Sequence, residues 1–378
     1  MSTSTISTAL SKQPLLHLLY DDLHVPASRL YEYKLVRLLG KGASSKVWLA
    51  HHIETPTVSV AIKEIDLDAK TEETDLTHFK KEVKILNNVK NIPNIVSIKD
   101  WFYCSVSKRA YLVTEFVRNV YQRNPFRLYQ KLSVDEIPLY LSKLVGAISE
   151  CHRQGIMHCD IKPSNFIIDS VHQRLAVIDF GHAQFYWRDN EYSSSVGTPA
   201  YCAPELLYGF TKYTYAIDTW SIGCVFLLML LPQASILFQS TSKENQFLIW
   251  CRYFGVAAMR QFVETELKLT WYPITCIDAE KTDTSLRSFQ SLILYYYCQS
   301  HHLSEDAFTR EHRNQLSIEH RLWHHSFKQR YHKYVKSAAL DLLNQFLSLS
   351  ITSRPLLKDA LQHPYFLVKN RKEISVLN

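Results

Sequence analysis

Apolar residues gather first in short runs of strand type and later at helical spacing. Tyr33–Leu39 reads as a strand, and Val47–His51 reads as its antiparallel return. Val60–Ala61–Ile62–Lys63 is a β-branched run, and Tyr111–Val117 is a buried strand leading into a connector. Between these runs, Thr71–Lys90 changes period: Leu76, Phe79, Val83 and Leu86 share one helical face. Glu72, Glu73 and Asp75 stand early in it, where the helix dipole favours acids, and Pro93 closes it. Ile137–Gln154 repeats the pattern through Ile137, Tyr140, Leu141, Leu144, Ile148 and Cys151. Asp218–Gly223 opens a helix that is apolar nearly all round, the mark of a core helix. Strands early and helices late predict an α+β chain with a small β-rich part and a larger helical part.

Composition narrows the function classes. The 378 residues are 46% hydrophobic and 21% charged, which suits a globular chain with a sizeable core. A formal charge of +7 is spread along the chain, and no dense Lys/Arg run marks a nucleic-acid arm, so no direct nucleic-acid partner is expected. Met1–Ser11 lacks a basic start and an apolar centre, so no secretory leader is expected. The most apolar run, Cys224–Leu231, is too short to cross a bilayer, and no membrane partner is expected. The 8 cysteines are scattered without a C-x-x-C pair, which fits free thiols in a reducing intracellular compartment.

The densest chemistry lies in His158–Cys159–Asp160–Ile161–Lys162–Pro163–Ser164–Asn165, followed across the strand-like Leu175–Ile178 by Asp179–Phe180–Gly181. Phosphoryl transfer uses such groups: a carboxylate for the proton of an attacking hydroxyl, a lysine for the moving phosphoryl, and oxygen ligands for a hard cation. Upstream, Gly40–Lys41–Gly42–Ala43–Ser44–Ser45–Lys46 is a loop of small residues whose amides can approach phosphate oxygens. Two glycines alone signal any tight turn; Lys63 on the next strand gives this loop its weight.

These motifs, in this order, resemble the eukaryotic protein kinases: H-R-D-L-x-x-x-N, D-F-G, V-A-I-K and A-P-E. The resemblance spans about residues 31–367 and implies a bilobal fold with a β-rich N-lobe near 31–117 and a mainly helical C-lobe near 118–367. Residues 1–30 would be an N-terminal extension, 368–378 a tail, and about 268–335 an aromatic- and histidine-rich insert. ATP and Mg²⁺ are the implied cofactors and a protein the implied substrate. By the same resemblance Asp160 is the base, Lys162 the phosphate-contacting lysine, and Lys63 and Glu82 the strand–helix ion pair. Asn165 and Asp179 become the metal ligands. Leu39, Val47 and Ala61 join the Gly40–Lys46 loop around the nucleotide, with hinge backbone from Glu115 and Val117 and a small guard at Thr114. Glu205, in Ala203–Pro204–Glu205, would pair with Arg354.

Lys162 and Thr198 follow the serine/threonine pattern. Finer phrases resemble the cell division cycle seven kinase family: Ser45 at the third glycine position, Lys162–Phe166, Val177–Gln184, Ala216–Ser221 and Ile236–Ser240 with Phe254–Gly255. That resemblance implies an activator subunit, a role in starting DNA replication and a nuclear or nucleocytoplasmic location. Two positions depart from pattern. Cys159 stands where an arginine would receive an activation-loop phosphate, so a partner or intrinsic order must set the active state. Cys202 stands where an arginine would favour acidic substrates. A pseudokinase scaffold and a small-molecule kinase are the alternatives, the first motivated by Cys159 and Ser45, the second opposed by the A-P-E anchor. In the insert, His320 with His324, and Cys298 with His301 and His302, lack the paired halves of a zinc site; packing by aromatics such as Trp271, Tyr272, Tyr295–Tyr297 and Trp323 is the expectation.

Overall fold

A computed structural model describes residues 23–42, 45–67, 72–118, 128–129, 131–133, 135–272 and 333–367. In chain order these include β1 (Tyr33–Lys41), β2 (Ser45–His52), β3 (Ser59–Asp66), α1 (Glu72–Val89), β4 (Ile98–Cys104), β5 (Arg109–Glu115) and α2 (Glu136–Arg153). There follow β6 (Ile156–Met157), β7 (Phe166–Asp169), β8 (Arg174–Val177), β9 (Gln184–Phe185), α3 (Pro204–Leu207), α4 (Ala216–Leu230), α5 (Lys243–Phe254) and α6 (Lys333–Phe346). The chain divides into two compact units, one within 1–124, 147–159 and 163–190, the other within 125–146, 160–162 and 191–378.

The first unit is built on a five-stranded antiparallel sheet, order β1-β2-β3-β5-β4. Side chains alternate across a pleated strand, and β3 obeys this closely. Val60 and Ile62 are buried with Ala50, Phe102, Tyr111 and Val113 in one apolar cluster, while Ala61 and Lys63 face the other way. At the β4 edge, residues 24–27 add a short cover. Tyr103 donates its N–H to the Pro26 carbonyl at 2.9 Å, and the Trp101 indole N–H reaches the His24 carbonyl at 3.3 Å. Covering an open strand edge removes a template for unwanted pairing. The helical face predicted over Thr71–Lys90 is real: Phe79, Val83 and Leu86 are buried, and Leu76 is half-buried.

The second unit centres on α4, whose residues Ile217–Leu230 are all buried. Gly223 explains how α6 comes so close. A Cβ there would lie 2.7 Å from Leu347 Cδ2 and 2.9 Å from Phe346 Cβ. Arg354 and Glu205, far apart in sequence, meet in a fully buried bidentate pair: Nη1–Oε1 2.6 Å and Nη2–Oε2 2.9 Å. The guanidinium also lies 4.9 Å from the Trp220 ring centroid and donates to the Ser348 carbonyl. At the start of the insert, Trp271 stacks on Tyr208 at 6.0 Å, and the Tyr208 hydroxyl donates to the Thr270 carbonyl at 2.8 Å. Trp271 thus packs on Tyr208, while Tyr272 beside it is exposed. Tyr295–Tyr297, Trp323 and the candidate zinc residues Cys298, His301, His302, His320 and His324 lie outside the described residues.

Replacing one partner of a buried charge pair strands the other. Arg354→Met should cost on the order of 3–5 kcal/mol, read as a lower denaturant midpoint. Gly223→Ala should also destabilise, because rigid neighbours crowd its methyl. Unchanged midpoints in both variants would contradict this packing.

Candidate active site

Lys63 sits mid-strand in β3, opposite Val47 of β2 and Leu112 of β5; Ala61, on the same face, is opposite Leu49 and Thr114. Strand alternation thus turns the lysine away from the apolar cluster. Its Nζ donates to Glu82 Oε1 at 2.7 Å and to Asp179 Oδ1 at 3.0 Å. Glu82 comes from α1 and is buried, so the lysine joins strand, helix and loop through one ammonium. Burial alone would push the Lys63 ammonium down, but the Glu82 and Asp179 carboxylates outweigh it and raise its pKa. Burial likewise opposes Asp179 ionising, yet Lys63 and the Gly181 N–H hold its carboxyl well below the usual carboxylate range. Glu82 is pushed up by burial and by Asp179, with Lys63 opposing.

The residues after Asp179 have physical reasons of their own. A Cβ on Gly181 would lie 3.3 Å from Asp179 Oδ1, 3.4 Å from Lys63 Nζ and 3.6 Å from Glu82 Oε2, a tight fit against the triad. Phe180 is fully buried with its ring 4.9 Å from that of His158. Asn165 and Asp179 flank the open end of the β7–β8 hairpin. Phe166 pairs with Val177, and the Ile178 N–H donates to the Asn165 carbonyl at 3.0 Å, so Asp179 follows directly beside Asn165. An amide oxygen and a firmly ionised carboxylate suit a hard divalent cation. Among the described residues no three His, Cys, Asp or Glu side chains gather to hold a metal. A cation here would complete its shell with phosphate and water oxygens, as Mg²⁺ commonly does.

Glu115, expected to offer backbone to a nucleotide, has its N–H held by the Ser97 carbonyl at 2.9 Å. Its carboxylate accepts from Arg174 at 2.8 Å and from the Ser97 N–H at 3.1 Å, which fixes the start of the connector; Val117 beyond it is buried. The expected loop from Gly40 to Lys46 is shorter than the sequence suggested. Strand pairing continues through Gly40↔Val47 and Lys41↔Lys46, and the Gly42 N–H is taken by the Ser45 carbonyl at 2.8 Å. β-Ladder pairing thus claims the two ends of the Gly40–Lys46 stretch. A Cβ on Gly40 would meet nothing within 4 Å, and one on Gly42 would lie 3.2 Å from Ser45 Oγ. Ala43 and Ser44 lie outside the described residues. Leu39 lies in β1, and Lys46 extends to within 3.6 Å of Glu64.

Within the second unit, Asp160, Lys162 and Thr198 form a closed ring. The Thr198 hydroxyl donates to Asp160 Oδ1 at 2.7 Å and accepts from Lys162 Nζ at 2.6 Å, while Lys162 lies 2.7 Å from Asp160 Oδ2. Asp160 is buried. Sequence reading placed Asp160 and Lys162 in the site but took Thr198 only as a marker of acceptor class. Its contact spans 38 residues of chain, and only the Gly197–Thr198–Pro199 turn hinted at it. Also unforeseen, Lys81 of α1 donates to the Gln184 side chain of β9 at 3.1 Å. Burial lowers the Lys81 pKa, and Cys159 lies near enough to interact with it. Cys159 has a left-handed backbone, φ 64°, which costs a non-glycine residue about 1–3 kcal/mol. Burial pushes the Cys202 thiol up to about 12, so it is held as an unreactive thiol.

Compared with known proteins, residues 33–366 match the family whose description is Protein kinase domain.

Removing the shared cation is expected to leave a pH signature. In Lys63→Met the buried Glu82 loses its counter-charge and takes up a proton more readily. A raised carboxyl pKa gives stability that is present at low pH and lost as pH rises through the folded value. The variant should therefore fall short of the native chain by a few kcal/mol near pH 8 and by less near about pH 5. Thermal unfolding across that range reads the gap, and a gap independent of pH would contradict the assignment.

Proposed function

The chain belongs to the protein kinase domain family, and on that premise we propose that it transfers the γ-phosphoryl group of Mg²⁺·ATP to serine or threonine hydroxyls of protein substrates. The observation that carries the acceptor class is the ring of Asp160, Thr198 and Lys162. Asp160 orients the acceptor hydroxyl and takes its proton as the bond to phosphorus forms. Lys162, held by Thr198 and Asp160, keeps positive charge beside that carboxylate for the transferring group. Lys63 fixes the nucleotide's α- and β-phosphates, and Glu82 holds Lys63 in place. Asn165 and Asp179 would hold the cation, which when bound neutralises charge on the β- and γ-phosphates. Little covalent chemistry falls to the protein in such a transfer; positioning and preorganised charge supply the rate.

The finer reading is a kinase of the cell division cycle seven type that starts DNA replication in the nucleus with an activator subunit. Its support is the resemblance of Ser45, Lys162–Phe166 and Val177–Gln184 to that family, together with Cys159. With a cysteine there, a loop phosphate has lost its usual receiver, and the Lys81–Gln184 bond supplies a tie between α1 and β9 that needs no phosphate. Among the described residues no helix is long and apolar enough to cross a membrane.

Asp160→Asn should lower phosphoryl transfer by roughly 10²–10⁴ while Mg²⁺·ATP still raises the melting temperature as in the native chain. Substantial turnover in that variant would refute the role. Thr198→Val should lower turnover by about tenfold or more, and Thr198→Ser should retain most of it, because the ring needs a hydroxyl. Equal activity of the valine and serine forms would remove the ring from the account. Co-purification from the native cell tests the activator: a stoichiometric second subunit that raises turnover supports it, and a lone chain of full activity contradicts it.

A further inference from the structure

Lys243 breaks two local rules at once. It is the first residue of α5, after Ser242, whose hydroxyl accepts from the Asn245 N–H at 3.2 Å. A cation at a helix N-terminus faces the positive end of the macrodipole, which disfavours it. The side chain is also half-buried, and burial pushes its ammonium below the ordinary lysine range. Local conflicts of this kind persist where another interaction over-determines them.

That interaction is a backbone clamp. Lys243 Nζ donates to the Ser194 carbonyl in a short hydrogen bond and to the Leu206 carbonyl at 3.3 Å. The two acceptors stand at either end of residues 195–205, which hold Gly197, Thr198, Cys202 and Glu205. Within that stretch Thr198 locks onto Asp160, Glu205 onto Arg354, and the Tyr201 carbonyl onto the Ser221 hydroxyl at 2.9 Å. The Cys202 thiol contacts the Val196 carbonyl at 3.8 Å and feels the Lys243 charge. The segment is thus tied down at Thr198, Tyr201 and Glu205, and Lys243 closes its two ends onto one cation.

We propose that Lys243 is a positioning residue for the protein substrate: its ammonium sets the shape of the 195–205 segment on which an acceptor peptide lies. This rests on the kinase reading and adds the residue that controls affinity for the peptide rather than for the nucleotide. The chain's own elements give the reason for the separation. Lys243, Ser194 and Leu206 belong to one compact unit, and the Lys63–Glu82–Asp179 triad belongs to the other.

The test uses the full chain as purified, with any subunit that accompanies it, and casein or mixed histones as acceptor. Lys243→Met keeps the length and removes the charge; Lys243→Arg keeps the charge and its donors. For the methionine form we expect the KM for the acceptor protein to rise about tenfold, with kcat within about threefold of native and the KM for ATP unchanged. The arginine form should recover most of the loss. If Lys243→Met folds less well, the arginine form still decides, since a volume-filling role predicts no rescue by charge. An unchanged acceptor KM, or equal changes in acceptor and ATP KM, overturns the proposal. A native chain that labels no protein at all overturns the kinase reading instead.

Discussion

A single ammonium ties the first unit together. Lys63 Nζ lies 2.7 Å from Glu82 and 3.0 Å from Asp179, and no other described contact joins β3, α1 and the loop after β8 so directly. A lone charge in that place would be expelled by desolvation, and two carboxylates so close would repel. Each group is tolerable only because the others are present. The constraint bears on neighbouring sequence: a Cβ on Gly181 would press on the Asp179 carboxylate at 3.3 Å and touch Lys63 at 3.4 Å.

The second unit solves a parallel problem with different means. Its centre is α4, buried and mostly apolar, and its polar anchors are spread along a segment that has little regular structure of its own. Arg354 holds Glu205, Thr198 holds Asp160 and Lys162, and Lys243 holds two carbonyls. Irregular backbone cannot rely on a ladder to satisfy its polar groups, so Ser221 of α4 and Lys243 of α5 reach its carbonyls.

Much of this was legible in the chain before any coordinates. The β-branched run placed Lys63 on a strand, helical spacing placed the buried side of α1, and motif order paired Glu205 with Arg354. What was not legible depended on register and on long-range closure. The Gly40–Lys46 loop read as a free cradle because residue type cannot reveal that the ladder continues to Lys41↔Lys46. Ser45 looked like a lost glycine, yet its carbonyl and hydroxyl close on Gly42. Nothing in the local sequence singles out Lys81 or Lys243. Their partners, Gln184 and the Ser194 and Leu206 carbonyls, are 103, 49 and 37 residues away, beyond any local pattern.

The central claim is that these charges serve protein phosphorylation on aliphatic hydroxyls. The most direct measurement is phosphoamino-acid analysis of acceptor protein incubated with the full chain, Mg²⁺ and ATP labelled in its γ-phosphate. The account predicts label in phosphoserine and phosphothreonine. Label confined to phosphotyrosine, or label that never enters protein, would contradict it.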